Sequence, residues 1–125
     1  MNKRLLIVDD EETILFAFER YFERSGFTVD CARELEEAEA LATYNAYDLV
    51  IADLSLTSDG STEGLEVLRY MRRHCPGARL MMITAFDTPG VEREAFRRGV
   101  DAFVRKPTPL AEIAKIVSYL TGETA

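Results

Sequence analysis

The stretch RLLIVDDEE, residues 4–12, is the strongest single indication of the fold. Four apolar residues, Leu5 to Val8, are followed at once by four acids: Asp9, Asp10, Glu11 and Glu12. A short, continuous apolar run is typical of a strand that is covered on both faces. Adjacent carboxylates repel one another, so acids at this point either face water or meet a positive group.

Composition indicates one globular domain spanning residues 1–125. The chain is 47% hydrophobic and 30% charged, with a formal net charge of −7, which disfavours direct binding of nucleic acid. Its two cysteines, Cys31 and Cys75, form neither a zinc-binding spacing nor a disulfide framework. No signal peptide is visible, and no apolar run approaches the ~20 residues of a membrane span. We therefore expect a cytoplasmic domain without a membrane partner.

Outward from this stretch, apolar runs alternate with segments of helical periodicity. The patterns predict strands at residues 4–9, 27–31, 47–53, 78–84 and 101–106. They predict helices at residues 11–25, 34–45, 63–74 and 88–98, and a last helix that starts at Thr108-Pro109. Gly26 is expected to end the first helix, and Thr88-Pro89 to start the fourth as cap and first helical residue. Residues 54–62 form a polar loop with an Asp59-Gly60 turn signal.

Strict alternation of strand and helix predicts an α/β fold with a parallel sheet and helices on both faces. The first, third and fourth strands are apolar throughout and should be central, whereas the second and fifth are mixed and should lie at the edges. With right-handed crossovers, this predicts the flavodoxin-like, doubly wound, five-stranded order 2-1-3-4-5 with five helices.

Five polar residues fall at the carboxyl ends of the predicted strands, where ligands bind in such sheets. They are Asp9 and Asp10 after the first strand, Asp53 after the third, Thr84 after the fourth and Lys106 after the fifth. Three close carboxylates resist joint ionisation, and a hard divalent cation such as Mg²⁺ would relieve their repulsion. An aspartate can also act as a nucleophile and carry a phosphoryl group, while a cation and a lysine neutralise its oxygens.

With these five residues at the strand ends, the chain resembles the receiver domain of bacterial two-component response regulators. The matching pieces are LLIVDDE, DLVIADL, MMITA and DAFVRKP, in order, and the resemblance covers residues 3–122. It implies that Asp10 ligates Mg²⁺ with the help of Asp9. It also implies that Asp53 is the phosphoacceptor and that the backbone carbonyl of Ser55 completes the metal shell.

The resemblance also assigns a switch. Thr84 would bond a phosphoryl oxygen, Lys106 would pair with the phosphoryl group, and the rotamer of Phe103 would follow Thr84. The two states of this switch would differ on the surface formed by the fourth helix, the fifth strand and the fifth helix. The Lys106-Pro107 peptide bond would be cis, against the general preference of X-Pro bonds for trans.

The resemblance further implies partners. The donor would be a phosphohistidine on a sensor histidine kinase or a phosphotransfer protein. The recipient of the signal would be an output domain or a target protein, and a phosphorylation-dependent dimer is compatible with this. The chain would be a signalling switch rather than an enzyme, although it would promote its own phosphorylation and dephosphorylation. It would be either a whole regulator or the front of a longer one.

Two departures from the family pattern and three alternatives stay open. Residues 54–62 lack the usual proline and form a longer loop, and Phe103 stands where a tyrosine is common. A receiver-like interaction module that acts without phosphorylation is the main alternative, although such a module should have lost site residues. A haloacid-dehalogenase-type phosphatase would need an acid where Ser55 stands, and a nucleotide-binding Rossmann-like domain would need a glycine-rich turn after the first strand.

Overall fold

The computed structural model describes residues 2–54, 63–85 and 89–123, which form one parallel sheet with helices on both faces. The strands are β1 (Arg4–Val8), β2 (Thr28–Ala32), β3 (Leu49–Asp53), β4 (Arg79–Thr84) and β5 (Ala102–Arg105). The helices are α1 (Glu12–Arg24), α2 (Leu35–Tyr44), α3 (Glu63–His74), α4 (Val91–Arg97) and α5 (Leu110–Thr121). The order is β2-β1-β3-β4-β5, with every pair parallel. The predicted fold class is confirmed.

Alternating residues of the central strands supply two separate cores. Leu6 and Val50 face α2, α3 and α4, whereas Leu5 and Ile51 face α1 and α5. All five residues of β3 are buried, while β2 and β5 are only partly so. The continuous apolar runs are therefore central because both of their faces are covered, and the mixed runs lie at the edges.

The helix boundaries agree with the sequence in part. Gly26, at φ 99°, follows the end of α1 as predicted, and α3 has its predicted bounds. The prediction that Pro89 is the first residue of the fourth helix is wrong. Gly90 is the N-cap of α4 at φ 87°, a conformation that no helix interior contains, so the helix begins at Val91. Thr88, its predicted cap, lies outside the described residues.

The start of α5 also differs from the prediction by one residue. Pro109 is the N-cap, at ψ 140°, and Leu110 is the first helical residue. The hydroxyl of Thr108 donates to the carbonyl of Arg105 instead of capping the helix. Within the described ranges no helix is both long and apolar enough to cross a membrane, and both cysteines are free thiols.

Candidate functional site

Strand register brings the acids of β1 and β3 together. Val8 pairs with Ala52 across β1 and β3, so Asp9 and Asp53 are the next residues along these two strands. The backbone N–H of Asp9 donates to the carbonyl of Ala32 at 3.0 Å, which continues the pairing of β1 with β2. Both carboxylates are nearly inaccessible, since Asp9 is 1% and Asp53 5% exposed. Each therefore has a fixed position and little water to stabilise its charge.

Four carboxylates converge at this edge of the sheet. One oxygen from each of Asp9, Asp10, Glu11 and Asp53 lies within 4.8 Å of the others. Asp10 is half-buried and Glu11 exposed, so the cluster opens to solvent on the side of β1. Glu11 is not among the site residues predicted from the sequence, because it also stands at the predicted start of the first helix. The sequence feature that could have indicated its place in the site is the unbroken run of four acids, residues 9–12.

Lys106 reaches the cluster from β5 and links its two buried acids. Its Nζ donates to Asp9 Oδ2 at 2.9 Å and to Asp53 Oδ2 at 3.1 Å, and it lies 3.5 Å from Glu11 Oε1. The Lys106 backbone N–H donates to the carbonyl of Thr84 at 2.8 Å. The Lys106-Pro107 bond is cis, as predicted. The ammonium group thus lies among the acids and offsets part of their repulsion.

The electrostatics of this group follow from burial and mutual proximity. Burial raises the pKa of Asp9, even though the backbone N–H of Glu11 and the ammonium group of Lys106 act in the opposite direction. Burial alone would lower the pKa of Lys106, but the hydrogen bond and charge of Asp9, with those of Asp53, outweigh it and raise that pKa. Lys106 is therefore charged at neutral pH, and the site carries an excess of negative charge.

The donor set fits a hard divalent cation. All four candidate groups offer carboxylate oxygens, which such cations prefer over nitrogen or sulfur. Two of these carboxylates are buried and held in place by the strand ends, and two lie toward solvent. An entering cation can therefore keep some water ligands, as Mg²⁺ commonly does. A cation would also compete with Lys106 for Asp9 and Asp53.

We expect Lys106→Ala to destabilise the cation-free protein and a divalent cation to restore its stability. The Lys106 side chain is 13% exposed, and its loss leaves the acids without a counter-charge. A cost of about 2 kcal/mol is expected, somewhat below that of a fully buried pair because water reaches the rim. Thermal unfolding in EDTA and in millimolar Mg²⁺ should show a larger stabilisation by Mg²⁺ in the variant than in the wild type.

The matched control for this prediction is Lys115→Ala. Lys115 is 74% exposed and pairs with Glu112 at the surface, so its loss should change little in either condition. Equal Mg²⁺ responses of the wild type and Lys106→Ala would contradict the idea that the ammonium group and the cation share the same carboxylates.

The remaining predicted site residues take the following positions. Thr84 is 1% exposed at the end of β4, and Asp53 pairs with the residue before it, Ile83. Phe103 is half-buried against the core beneath α4, with the Arg105 guanidinium carbon 5.3 Å from its ring centre. Ser55, the predicted backbone ligand, lies outside the described residues, as does most of the atypical loop.

Comparison with known proteins agrees with this arrangement. The sequence model of the response regulator receiver domain matches residues 5–118. The alginate biosynthesis transcriptional regulatory protein AlgB of Pseudomonas aeruginosa is 36% identical over 104 residues, which are 83% of this chain and 22% of AlgB. The alkaline phosphatase synthesis transcriptional regulatory protein PhoP of Bacillus subtilis is 33% identical over 113 residues, 90% of this chain and 46% of PhoP. The chain thus spans less than half of either relative.

Two solved structures extend the likeness to three dimensions. A receiver domain protein from Methanospirillum hungatei superposes with a TM-score of 0.86 at 28% identity, covering 96% of this chain and 94% of that one. A response regulator from Burkholderia pseudomallei, solved with a phosphorylated aspartic acid, a calcium ion and citrate, gives 0.83 at 27% identity. That match covers 95% of this chain and 66% of the other. Together with the acidic edge of the sheet, these matches show that the chain belongs to the response regulator receiver domain family, the phosphorelay signalling modules of two-component systems.

Proposed function

We propose that this chain accepts a phosphoryl group on Asp53 from a phosphohistidine of a sensor histidine kinase or phosphotransfer protein. The observation that carries this proposal is the environment of Asp53. It is a buried carboxylate at the end of the central strand, 3.1 Å from an ammonium group and beside three further acids. The phosphorylated aspartic acid in the Burkholderia pseudomallei relative supports the same chemistry here.

The transfer is a substitution at phosphorus. A carboxylate oxygen of Asp53 attacks the phosphorus atom, an O–P bond forms, and the N–P bond to the donor histidine breaks. The electron pair of that bond stays on the histidine nitrogen. Because Asp53 is held by β3 and its neighbours, its oxygen keeps one direction of approach, which favours attack in line with the leaving nitrogen.

The other acids prepare the site for this step. Asp9 and Asp10, with Asp53 and the backbone carbonyl of Ser55, would hold Mg²⁺, and Glu11 would add negative charge at the opening. When bound, the cation neutralises charge on the carboxylates and on the phosphoryl oxygens. Lys106 would then exchange its contact with Asp53 for one with a phosphoryl oxygen. The hydroxyl of Thr84 would bond a second phosphoryl oxygen.

These new contacts would draw the end of β4 toward the phosphoryl group and so change the conformation of the surface formed by α4, β5 and α5. The backbone N–H of Lys106 donates a hydrogen bond to the carbonyl of Thr84. Phe103 packs in the core on the face of the sheet that α4 covers. Phosphorylation is thus proposed to turn Phe103 inward and to shift the face of α4, β5 and α5 between two states. That face would act on an output domain, a target protein or a second copy of the chain.

The length of the relatives bears on whether this domain acts alone or as part of a longer protein. They are transcriptional regulators at least twice as long as the matched region. We propose that residues 1–125 act as one receiver unit, either alone or at the front of a longer regulator. In either case this domain would not contact nucleic acid directly, because its net charge is −7.

The test is cation-dependent phosphorylation by a small phosphodonor. With acetyl phosphate and Mg²⁺, intact-mass measurement should show a gain of one phosphoryl group per chain, and EDTA should abolish it. Amide NMR shifts should then extend from the acidic edge to α4, β5 and α5. Labelling that survives EDTA would contradict the proposed site. Absence of labelling with both the small donor and a phosphorylated histidine kinase would favour a module that acts without phosphorylation.

A further inference from the structure

A basic cleft of about 490 Å³ lies between α3 and α4, on a chain that is acidic as a whole. Its volume is within the range of small-molecule sites in proteins. Four of the five described residues that line it are arginines: Arg69, Arg72, Arg73 and Arg98, with Glu66 as the fifth. A concave surface with this charge would attract a small anion, which the acidic edge of the sheet would repel.

The arginines at the end of α3 lie away from the site around Asp53. Helix α3 begins beside the end of β3, where the backbone N–H of Gly64 donates to the carbonyl of Leu54 at 2.7 Å. It ends at His74, shortly before the start of β4, so Arg72 and Arg73 lie near the opposite edge of the sheet. Binding at this cleft would therefore be separable from the chemistry at Asp53.

Arginines in the last turn of a helix are common, because they interact favourably with its dipole and with nearby acids. Here, however, the described acids are fewer than the arginines they face. Arg69 and Arg98 both pair with Glu66, at 3.6 and 3.5 Å, and Arg98 also lies 3.9 Å from Glu94. Arg72 pairs with Asp101 at 3.6 Å. Arg73 forms no ion pair with any described residue. Among the residues that the structure describes, guanidinium charge in the cleft thus exceeds the carboxylate charge that faces it.

The second feature of the cleft is the Arg72 guanidinium, which is held in place but keeps one N–H group without an acceptor among the described residues. Its Nη2 donates to the carbonyl of Gly99, and the guanidinium lies so close to that glycine that a Cβ there would come within 2.9 Å of Nε. Nε itself is buried and has no hydrogen-bond partner in the described part of the chain. Arg72 is therefore fixed on the turn after α4 and forms a rigid wall of the cleft.

We propose that this cleft binds a small phosphate-bearing anion, up to the size of a nucleotide. The planar guanidinium group matches two oxygens of a phosphate at once, which an ammonium group does not. Arg69 and Arg73 would contact the phosphates directly. Arg98 would exchange Glu66 for a phosphate oxygen, and Arg72 would supply the fixed wall. This site is additional to the proposed phosphorylation and does not depend on it.

The experiment is an amide NMR titration of the chain with tripolyphosphate and, separately, with ATP. Both are used in EDTA, so that no cation carries them to the acidic edge. Saturable shifts are expected at the amides of the cleft arginines, with a dissociation constant on the order of 0.1–1 mM, as befits an open site. Equal affinities would indicate that the phosphate chain is what is recognised, and tighter binding of ATP would indicate a nucleotide.

Three variants give the decisive comparison. Arg69→Gln combined with Arg73→Gln should weaken binding about tenfold or more, since two charge-assisted contacts are lost. Arg93→Gln, on α4 but not lining the cleft, removes one arginine charge elsewhere and should bind as the wild type does. Glu66→Gln should tighten binding roughly threefold or more, because it removes the carboxylate that competes for Arg69 and Arg98.

The gain expected of Glu66→Gln cannot arise from a misfolded protein, so it separates ligand binding from a structural role of the arginines. The absence of saturable shifts up to about 10 mM of either anion would overturn the proposal. So would shifts confined to other surfaces, unchanged affinity in the double variant, or binding by Glu66→Gln that is no tighter than that of the wild type.

Discussion

Asp53→Asn is expected to abolish phosphorylation while the fold persists. An amide is a far weaker nucleophile than a carboxylate, so labelling by acetyl phosphate and Mg²⁺ should fall by at least about a hundredfold. The change is nearly isosteric at a position only 5% exposed, so packing at the end of β3 is preserved. It also removes one of four converging negative charges, which lowers their repulsion and offsets the weaker contact with Lys106.

The matched control lies at the other end of the same strand. Asp48 precedes β3, and its Oδ2 accepts a hydrogen bond from the backbone N–H of Arg4 at 2.8 Å, a role that the oxygen of an asparagine can also fill. Asp48→Asn should therefore be phosphorylated at the wild-type rate. Intact mass gives the extent of labelling, and circular dichroism checks the fold. Undiminished labelling of Asp53→Asn would show that another residue is the phosphoacceptor.

Gly64→Ala is expected to destabilise the protein and to impair its phosphorylation. Gly64 is the second residue of α3, and a Cβ there would overlap the backbone of Asp53 and Leu54, well inside van der Waals contact. Backbone cannot rotate away as a flexible side chain can, so α3 must shift from the end of β3. A net cost of about 3 kcal/mol is expected, even though alanine favours helix formation.

This result would be measured by urea unfolding, together with the rate of labelling by acetyl phosphate. Displacement of the backbone at Asp53 should slow labelling as well as lower the free energy of unfolding. Gly77→Ala is the control, since a Cβ at Gly77 would have no neighbour within 4 Å and its effect should stay within about 0.5 kcal/mol. Equal stabilities of the two variants would mean that α3 does not pack on β3 as closely as described.

Much of the site was predictable because parallel sheets collect their strand ends at one edge. Asp9, Asp10, Asp53, Thr84 and Lys106 could each be read as the residue that ends a strand, and the structure brings all five to that edge. Their roles in phosphoryl transfer remain predictions. Glu11 was missed because its position in the sequence is equally typical of a helix start, and it is indeed the N-cap of α1.

The sequence by itself determined the strands, their order and the edge where the acids meet. Apolar periodicity is a local property, and continuous runs must be buried on both faces wherever they occur. Only the tertiary structure decided which charges pair. Lys106 reaches Asp9 across 97 positions of sequence, and the arginines of α3 and α4 share a cleft that neither helix shows alone. Such contacts depend on the angles at which helices pack and on backbone turns such as that at Gly90, which local patterns do not specify.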